Sequence, residues 1–215
     1  MTLILGRKRG MTQLFAEDGT VTGVTVVEVG PCVVTQVKTA AREGYDAIQL
    51  GWEDVTDKRV AKPQVGHFKK AGVATKRFLR EDRLTAPAEK KVGDTLQCDV
   101  FSVGDLVDVV GTSKGRGFAG TIKRHGFQRG PETHGCMNVR QPGSLASKRI
   151  GKVIKGKRLG GHFGAERVTS KNLAVIKIDT ARNLLYLRGS VAGPANGFVE
   201  VQTARTGYRA KKSGA

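Results

Sequence analysis

Gly115-Arg-Gly117-Phe-Ala-Gly120 has the spacing of a glycine loop that lets a dinucleotide pyrophosphate approach a helix N-terminus. The residues after it, Thr-Ile-Lys-Arg-His-Gly126, are too few for the helix of such a site. About 20 residues on, where a ribose-binding acid belongs, stand Arg140 and Gln141. Gly151-Lys-Val-Ile-Lys-Gly156-Lys157-Arg158 approaches a triphosphate loop, but an Arg occupies the position of the hydroxyl that holds Mg²⁺. His125, His134, Cys136 and His162 are soft ligands at irregular spacing, with no paired Cys or His to form a metal clip. General acid–base or two-metal phosphate chemistry needs clustered carboxylates. Between Gly111 and Arg167 there are only Glu132 and Glu166. Enzyme, cofactor and metal readings all lack their confirming context, and none is expected.

The same stretch has another chemistry. Its 57 residues hold thirteen Lys/Arg against those two acids, and thirteen of the chain's 29 glycines. Like charges at this density repel, and a polymer of regularly spaced phosphates neutralises them. Glycine permits sharp turns and close approach to a sugar–phosphate backbone. Lys offers a mobile point charge, whereas Arg forks onto phosphate and stacks on bases. The candidate RNA contacts in this stretch are Lys114, Arg116, Lys123, Arg124, His125, Arg129, His134, Arg140, Lys148, Arg149, Lys152, Lys155, Lys157, Arg158, His162 and Arg167. Arg7, Lys8 and Arg9 form a second patch near the N-terminus. A solvated linker is the plainer alternative, but linkers are seldom so cationic or so poor in Ser and Glu. Apolar residues here keep no period for long, so the segment is expected to be mobile without its partner.

Something must hold this segment at both ends. The chain has 215 residues, enough for one or two domains with a sizeable core. Its net charge of +18 points to nucleic acid. A membrane partner is not expected: no run of 18 apolar residues exists, and the cations lie in a Gly-rich segment rather than on an amphipathic helix. At the N-terminus the apolar residues precede the basic ones, the reverse of a signal peptide. Three scattered cysteines, Cys32, Cys98 and Cys136, fit a reducing cytoplasm.

Short strands separated by turns predict an antiparallel barrel or sandwich over most of the remainder. Leu3 to Leu5 reads as a short strand ending at the basic knot. Asp18-Gly19 reads as a hairpin turn before Val21 to Val29, and Gly30-Pro31 as a break before Val33 to Val37. Ala47 to Trp52, Leu96 to Phe101 and Leu106 to Val110 read as further strands. Residues 53–97 change character and are expected to be an α+β insertion. His67 to Ala71 would form one helical turn in it, and Arg77 to Leu84 is open between helix and edge strand. Leu173 to Ile178 and Leu184 to Arg188 form the clearest hairpin, followed by a strand at Phe198 to Val201. The resulting plan is a β domain of residues 1–110 and 168–204, an extension at 111–167 and a basic tail at 205–215.

Several stretches resemble one family collinearly over nearly the whole chain. They include Gly10-Met-Thr-Gln-Leu-Phe15, Gly66-His-Phe-Lys-Lys-Ala-Gly72, Gly111-Thr-Ser-Lys-Gly-Arg-Gly-Phe-Ala-Gly120 and Thr133-His-Gly135. Pro142-Gly-Ser144, Lys155-Gly-Lys-Arg158 and Glu166-Arg-Val-Thr169 continue the series. The family is the universal large-subunit ribosomal protein usually numbered three, in its bacterial form. The resemblance implies a six-stranded β-barrel with an added α+β part, and a long basic loop running through ribosomal RNA toward the peptidyl transferase centre. It also implies early entry into the large subunit, a cytoplasmic ribosomal location, and large-subunit RNA and neighbouring ribosomal proteins as partners. After the Pro-Gly-Ser turn, relatives often carry Ile-Gly and a glutamine that is methylated in some. This chain has Leu145, Ala146 and Ser147 there. The competing classes are a free-standing RNA chaperone, separable by co-sedimentation with ribosomes, and a nucleotide-dependent enzyme, separable by NAD or ATP binding.

Overall fold

A computed structural model describes residues 3–88, 90–147, 149 and 151–206. Two compact units are present: Met1–Thr112 with Arg167–Ala215, and Ser113–Glu166.

In the first unit, β1 (Leu3–Phe15), β2 (Val21–Val29), β7 (Leu106–Thr112), β10 (Arg167–Asp179), β11 (Leu184–Arg188) and β12 (Phe198–Thr203) form an antiparallel closed barrel. The order is β1-β12-β7-β10-β11-β2, so the first strand pairs with both the second and the last. Closure removes the edges that an open sheet would leave for stray pairing. Alternation fills the barrel: Val199 and Val201 on β12, and Leu185 and Leu187 on β11, are buried. A bulge in β10 between Ser170 and Leu173 sets Asn172 at φ 56°. There the buried Asp108 accepts its backbone N–H at 2.8 Å. The carboxylate thus replaces a ladder bond that the bulge removes.

A second sheet has the order β5-β4-β3-β6, from β3 (Cys32–Lys38), β4 (Ala47–Asp54), β5 (Lys76–Arg83) and β6 (Thr95–Leu96). It therefore takes Val33 to Val37 and Ala47 to Trp52, which turn spacing alone groups with the barrel strands. Short helix α1 (Ala40–Glu43) joins β3 to β4, and α2 (Lys62–Ala71) precedes β5. One continuous core links the sheets, with Ile4, Leu5 and Val29 of the barrel in the same cluster as Val34, Leu50 and Trp52.

Three local readings need correction, and one left open is decided. The basic knot does not end a strand: Arg7, Lys8 and Arg9 lie within the 13-residue β1, which absorbs the knot through a bulge between Lys8 and Gly10. Helix α2 runs for ten residues, because Pro63 sits in its first turn, where no N–H is needed. Arg77 to Leu84 resolves as strand through pairing along β4, from Ala47–Arg83 to Asp54–Lys76. Leu96 to Phe101 is mostly not strand; after β6 the chain makes a 3₁₀ turn at Cys98–Val100 and buries Phe101. No helix among the described residues is long and apolar enough to cross a membrane.

Cys32 lies in the core between the sheets. Its thiol accepts the Leu5 N–H at 3.3 Å and donates to the Leu5 carbonyl at 3.4 Å. Burial pushes the thiol up from 9.0 to about 11, against the smaller opposing effect of those contacts. A proton retained in the folded state beyond the pH at which the unfolded thiol loses it favours folding below that pH. Stability should therefore fall as pH rises from about 9, with a slope approaching about 1.4 kcal/mol per pH unit from this one group. Denaturant titrations of the wild type and Cys32→Ala between pH 9 and 10.5 should give a flatter pH dependence for the variant.

Candidate nucleic-acid interface

The second unit is built on very little regular structure. Strand β8 (Phe118–Ala119) pairs with β9 (Gly161–His162), and α3 (Thr121–His125) follows β8 directly. Around this pair the two legs are laced by backbone bonds: Arg116 N–H to the Phe163 carbonyl at 2.8 Å, and Phe163 N–H to the Gly117 carbonyl at 2.9 Å. Ser113 N–H bonds the Glu166 carbonyl at 2.9 Å one step further out. Gly164 permits this approach: it has φ +76°, and a Cβ there would stand 2.2 Å from the Lys114 carbonyl oxygen.

Several of the expected RNA contacts have a partner within the protein. Arg124 donates to the Leu159 carbonyl at 3.0 Å, and a ring nitrogen of His125 lies 3.0 Å from the same oxygen. Gly161 makes room for the Arg124 guanidinium, which a Cβ would meet at 2.5 Å. Arg116 covers the Phe163 ring at 5.1 Å, and Arg129 pairs with Glu132. In the first unit Lys8 donates to the carbonyls of Val191 and Gly193, and Arg9 pairs with Glu28 at 2.6 Å. Arg7 pairs with Glu53 at 2.7 Å and covers the Trp52 ring, while Arg167 reaches Glu200 at 3.4 Å.

The remaining cations have no such occupation. Gly151 to Arg158 are all exposed, and Lys152, Lys155, Lys157 and Arg158 make no side-chain hydrogen bond or ion pair with any described residue. The same holds for the exposed Lys114, Lys123, His134, Arg140, Arg149 and His162. Lys148 lies outside the described residues, as do residues 207–215 of the basic tail. Among the described residues, no three His, Cys, Asp or Glu side chains gather to hold a metal.

The first unit carries a cationic face that joins the expected Arg7 and Arg167 to two arginines not foreseen from sequence, Arg77 and Arg80. Trp52, Phe78 and Phe198 form a three-ring cluster, with Phe78 stacked on Phe198 at 4.3 Å and Trp52 5.9 and 6.1 Å from them. Arg7 lies over Trp52, Arg77 over Phe78 at 5.2 Å and Arg80 over Phe198 at 5.3 Å. Glu53 holds Arg7 and Arg77, and Glu200 holds Arg80 and Arg167. Four guanidinium groups are thus positioned by two carboxylates and an aromatic base. The face depends on the pairing of β4 with β5, which sets Phe78 opposite Trp52, and no local pattern in Arg77-Phe-Leu-Arg80 signals it.

Removing Arg124 should loosen the paired legs. Arg124→Ala loses a charge-assisted bond worth about 1.5–3 kcal/mol. Amide exchange at Arg116 and Phe163 should accelerate at least about tenfold, with exchange in β10 and β11 unchanged.

Comparison with known proteins bears on what these cations meet. A family model described as Ribosomal protein L3 matches residues 81–183. The chain is 53% identical over 201 residues to the large ribosomal subunit protein uL3 of Geobacillus thermodenitrificans (strain NG80-2), covering 94% of this chain and 95% of that one. Proteins of the same name from Heliobacterium modesticaldum (strain ATCC 51547 / Ice1) and Desulforudis audaxviator (strain MP104C) are 50% and 51% identical. These matches cover 94% and 95% of this chain, and 96% of each relative.

Proposed function

The chain belongs to the ribosomal protein L3 family, and from that membership we propose that it is a structural constituent of the large ribosomal subunit that binds large-subunit RNA mainly through residues 111–167. It is not an enzyme, and it works in the cytoplasmic ribosome. The observation that carries the RNA reading is the run Gly151 to Arg158, whose four exposed cations have no protein partner among the described residues. Phosphates neutralise them, and the flanking glycines let the backbone lie close to the nucleic acid. Arg124, His125 and Arg116 act earlier, holding the legs so that the free cations are presented together. In this reading residues 1–110 and 168–204 are the domain that carries the extension, and 205–215 are a further cationic arm. Its RNA contacts would let it join the subunit early in assembly.

Affinity for large-subunit RNA should fall steeply with salt, each phosphate contact contributing a log–log slope of about 0.7 to 0.9. Replacing Lys155, Lys157 and Arg158 by Ala should make the slope shallower by roughly three times that amount. An unchanged slope would mean that these side chains face only solvent.

The extension also reaches toward the peptidyl transferase centre. Support comes from its two ends, which leave one ladder at the paired residues Thr112 and Arg167, so that it must go out and return. A leg of about 25 residues spans at most roughly 80 Å. Pro142-Gly143-Ser144 lies near its midpoint with turn chemistry, and Gly143 has φ +75°. Deleting residues 139–148 should leave the barrel folded and the protein bound to subunits, while slowing peptidyl transfer or altering drug binding at that centre. Normal rates and normal drug binding in reconstituted subunits would place the tip elsewhere.

A further inference from the structure

The strands of the barrel are not equal in length. Strand β1 pairs with β12 only from Leu3 to Arg7, and β2 pairs with β11 only from Val24 to Glu28. Beyond those points β1 and β2 pair with each other alone, Gln13 to Phe15 lying opposite Val21 to Gly23. Residues 11–23 therefore form a two-stranded ribbon whose outer strand edges meet no other strand among the described residues.

One face of this ribbon is apolar and uncovered. Alternation puts Met11, Gln13 and Phe15 on the face shared with Val21, Gly23 and Thr25. At the barrel this face turns inward, where Thr25, Val27 and Val29 are fully buried. Past the barrel it continues with nothing over it: Met11 is 57% exposed, Phe15 69% and Val21 52%. Phe15 stands directly opposite Val21, and Gly23, opposite Gln13, leaves a flat spot with no atom near where a Cβ would be. The turn is firmly built, because the Asp18 carboxylate accepts both the Thr20 N–H at 3.0 Å and the Thr20 hydroxyl at 2.8 Å. Those two bonds hold the Asp18 carboxyl below its ordinary range, so it stays charged.

Charge says what the face is for. The chain averages one Lys or Arg in about six residues, yet from Gly10 to Val37 there is none. That run contains Glu17, Asp18 and Glu28, of which Glu28 is paired with Arg9 at the ribbon's base. Glu17 and Asp18 at the tip would repel phosphate, so RNA is the wrong occupant. An exposed apolar patch beside acids, on a rigid ribbon with open edges, fits a protein with a basic rim.

We propose that residues 11–23 are a docking surface for another protein of the same ribosomal particle, a cationic one. Met11, Phe15 and Val21 seat its apolar group, and Glu17 and Asp18 meet its Lys or Arg side chains. The inference rests on the reading of the chain as a large-subunit constituent. It adds the face and the chemistry of one protein neighbour.

The test uses the full chain assembled in cells, with Phe15 replaced by the photo-crosslinking residue p-benzoylphenylalanine. Large subunits are purified and irradiated, and the adduct is identified by mass spectrometry. The expected result is one protein other than this chain, crosslinked at a peptide containing or flanked by Lys or Arg. Phe15→Ser and Glu17→Lys should each cut the retention of that protein at least threefold on salt-washed subunits, while this chain stays bound. Both sites are exposed on the ribbon, and an unchanged melting temperature of the free variants confirms that the barrel is intact. Crosslinks to RNA, to a second copy of this chain or to nothing overturn the proposal, as does unchanged retention in both variants. If the labelled chain itself does not enter large subunits, the reading of the previous subsection fails and this one with it.

Discussion

The ladder between β7 and β10 is the constraint on which the molecule depends. Thr112 faces Arg167 across it, and the 54 residues between them, Ser113 to Glu166, form the second unit. A cationic segment so rich in glycine cannot fix its own ends, because it has too little apolar surface to offset the entropy of doing so. The closed barrel fixes them instead. Its strands exchange bonds with two neighbours each, so no free edge lets β7 and β10 drift apart. The stability of the core is in this way extended to a segment with little apolar surface of its own.

Within that segment the cations divide into two kinds. Arg116, Arg124 and His125 are engaged by Phe163 and the Leu159 carbonyl, and they brace the region where the legs lie together. Lys152, Lys155, Lys157 and Arg158 face solvent without a protein partner among the described residues. The bracing residues limit how far the legs can splay, which lowers the ordering cost when the exposed ones meet phosphate. The first unit uses another device for the same end, since Glu53 and Glu200 each hold two guanidinium groups, three of the four lying over aromatic rings.

The sequence carried the barrel and the cationic segment clearly, because both depend on short-range signals. Alternation in Leu184 to Arg188 and Phe198 to Val201 and the Asp18-Gly19 turn mark strands and a hairpin without reference to distant residues. What it carried poorly depends on partners far along the chain. Arg77 to Leu84 became a strand because β4 pairs with it, and Val33 to Val37 joined the second sheet for the same reason. The functions of single cations were similarly hidden. Lys123 and Arg124 are neighbours of one type of charge, yet only Arg124 finds the Leu159 carbonyl, 35 residues away. The acids at 53 and 200 gave no local sign that they position arginines.

The pairing of β1 with β12 sets an order of events in biosynthesis. Leu3 faces Gln202 and Arg7 faces Phe198, so the barrel cannot close until almost the whole chain has been made. Contacts this distant in sequence form late and slowly. The polycationic residues 111–167 leave the synthesising ribosome before the strands that will anchor their second end. During that interval the nascent chain is an open sheet joined to a strong polyelectrolyte, exposed both to stray strand pairing and to any nearby RNA. Whatever shields the unfinished chain must cover acidic and apolar surface at one end and dense positive charge at the other.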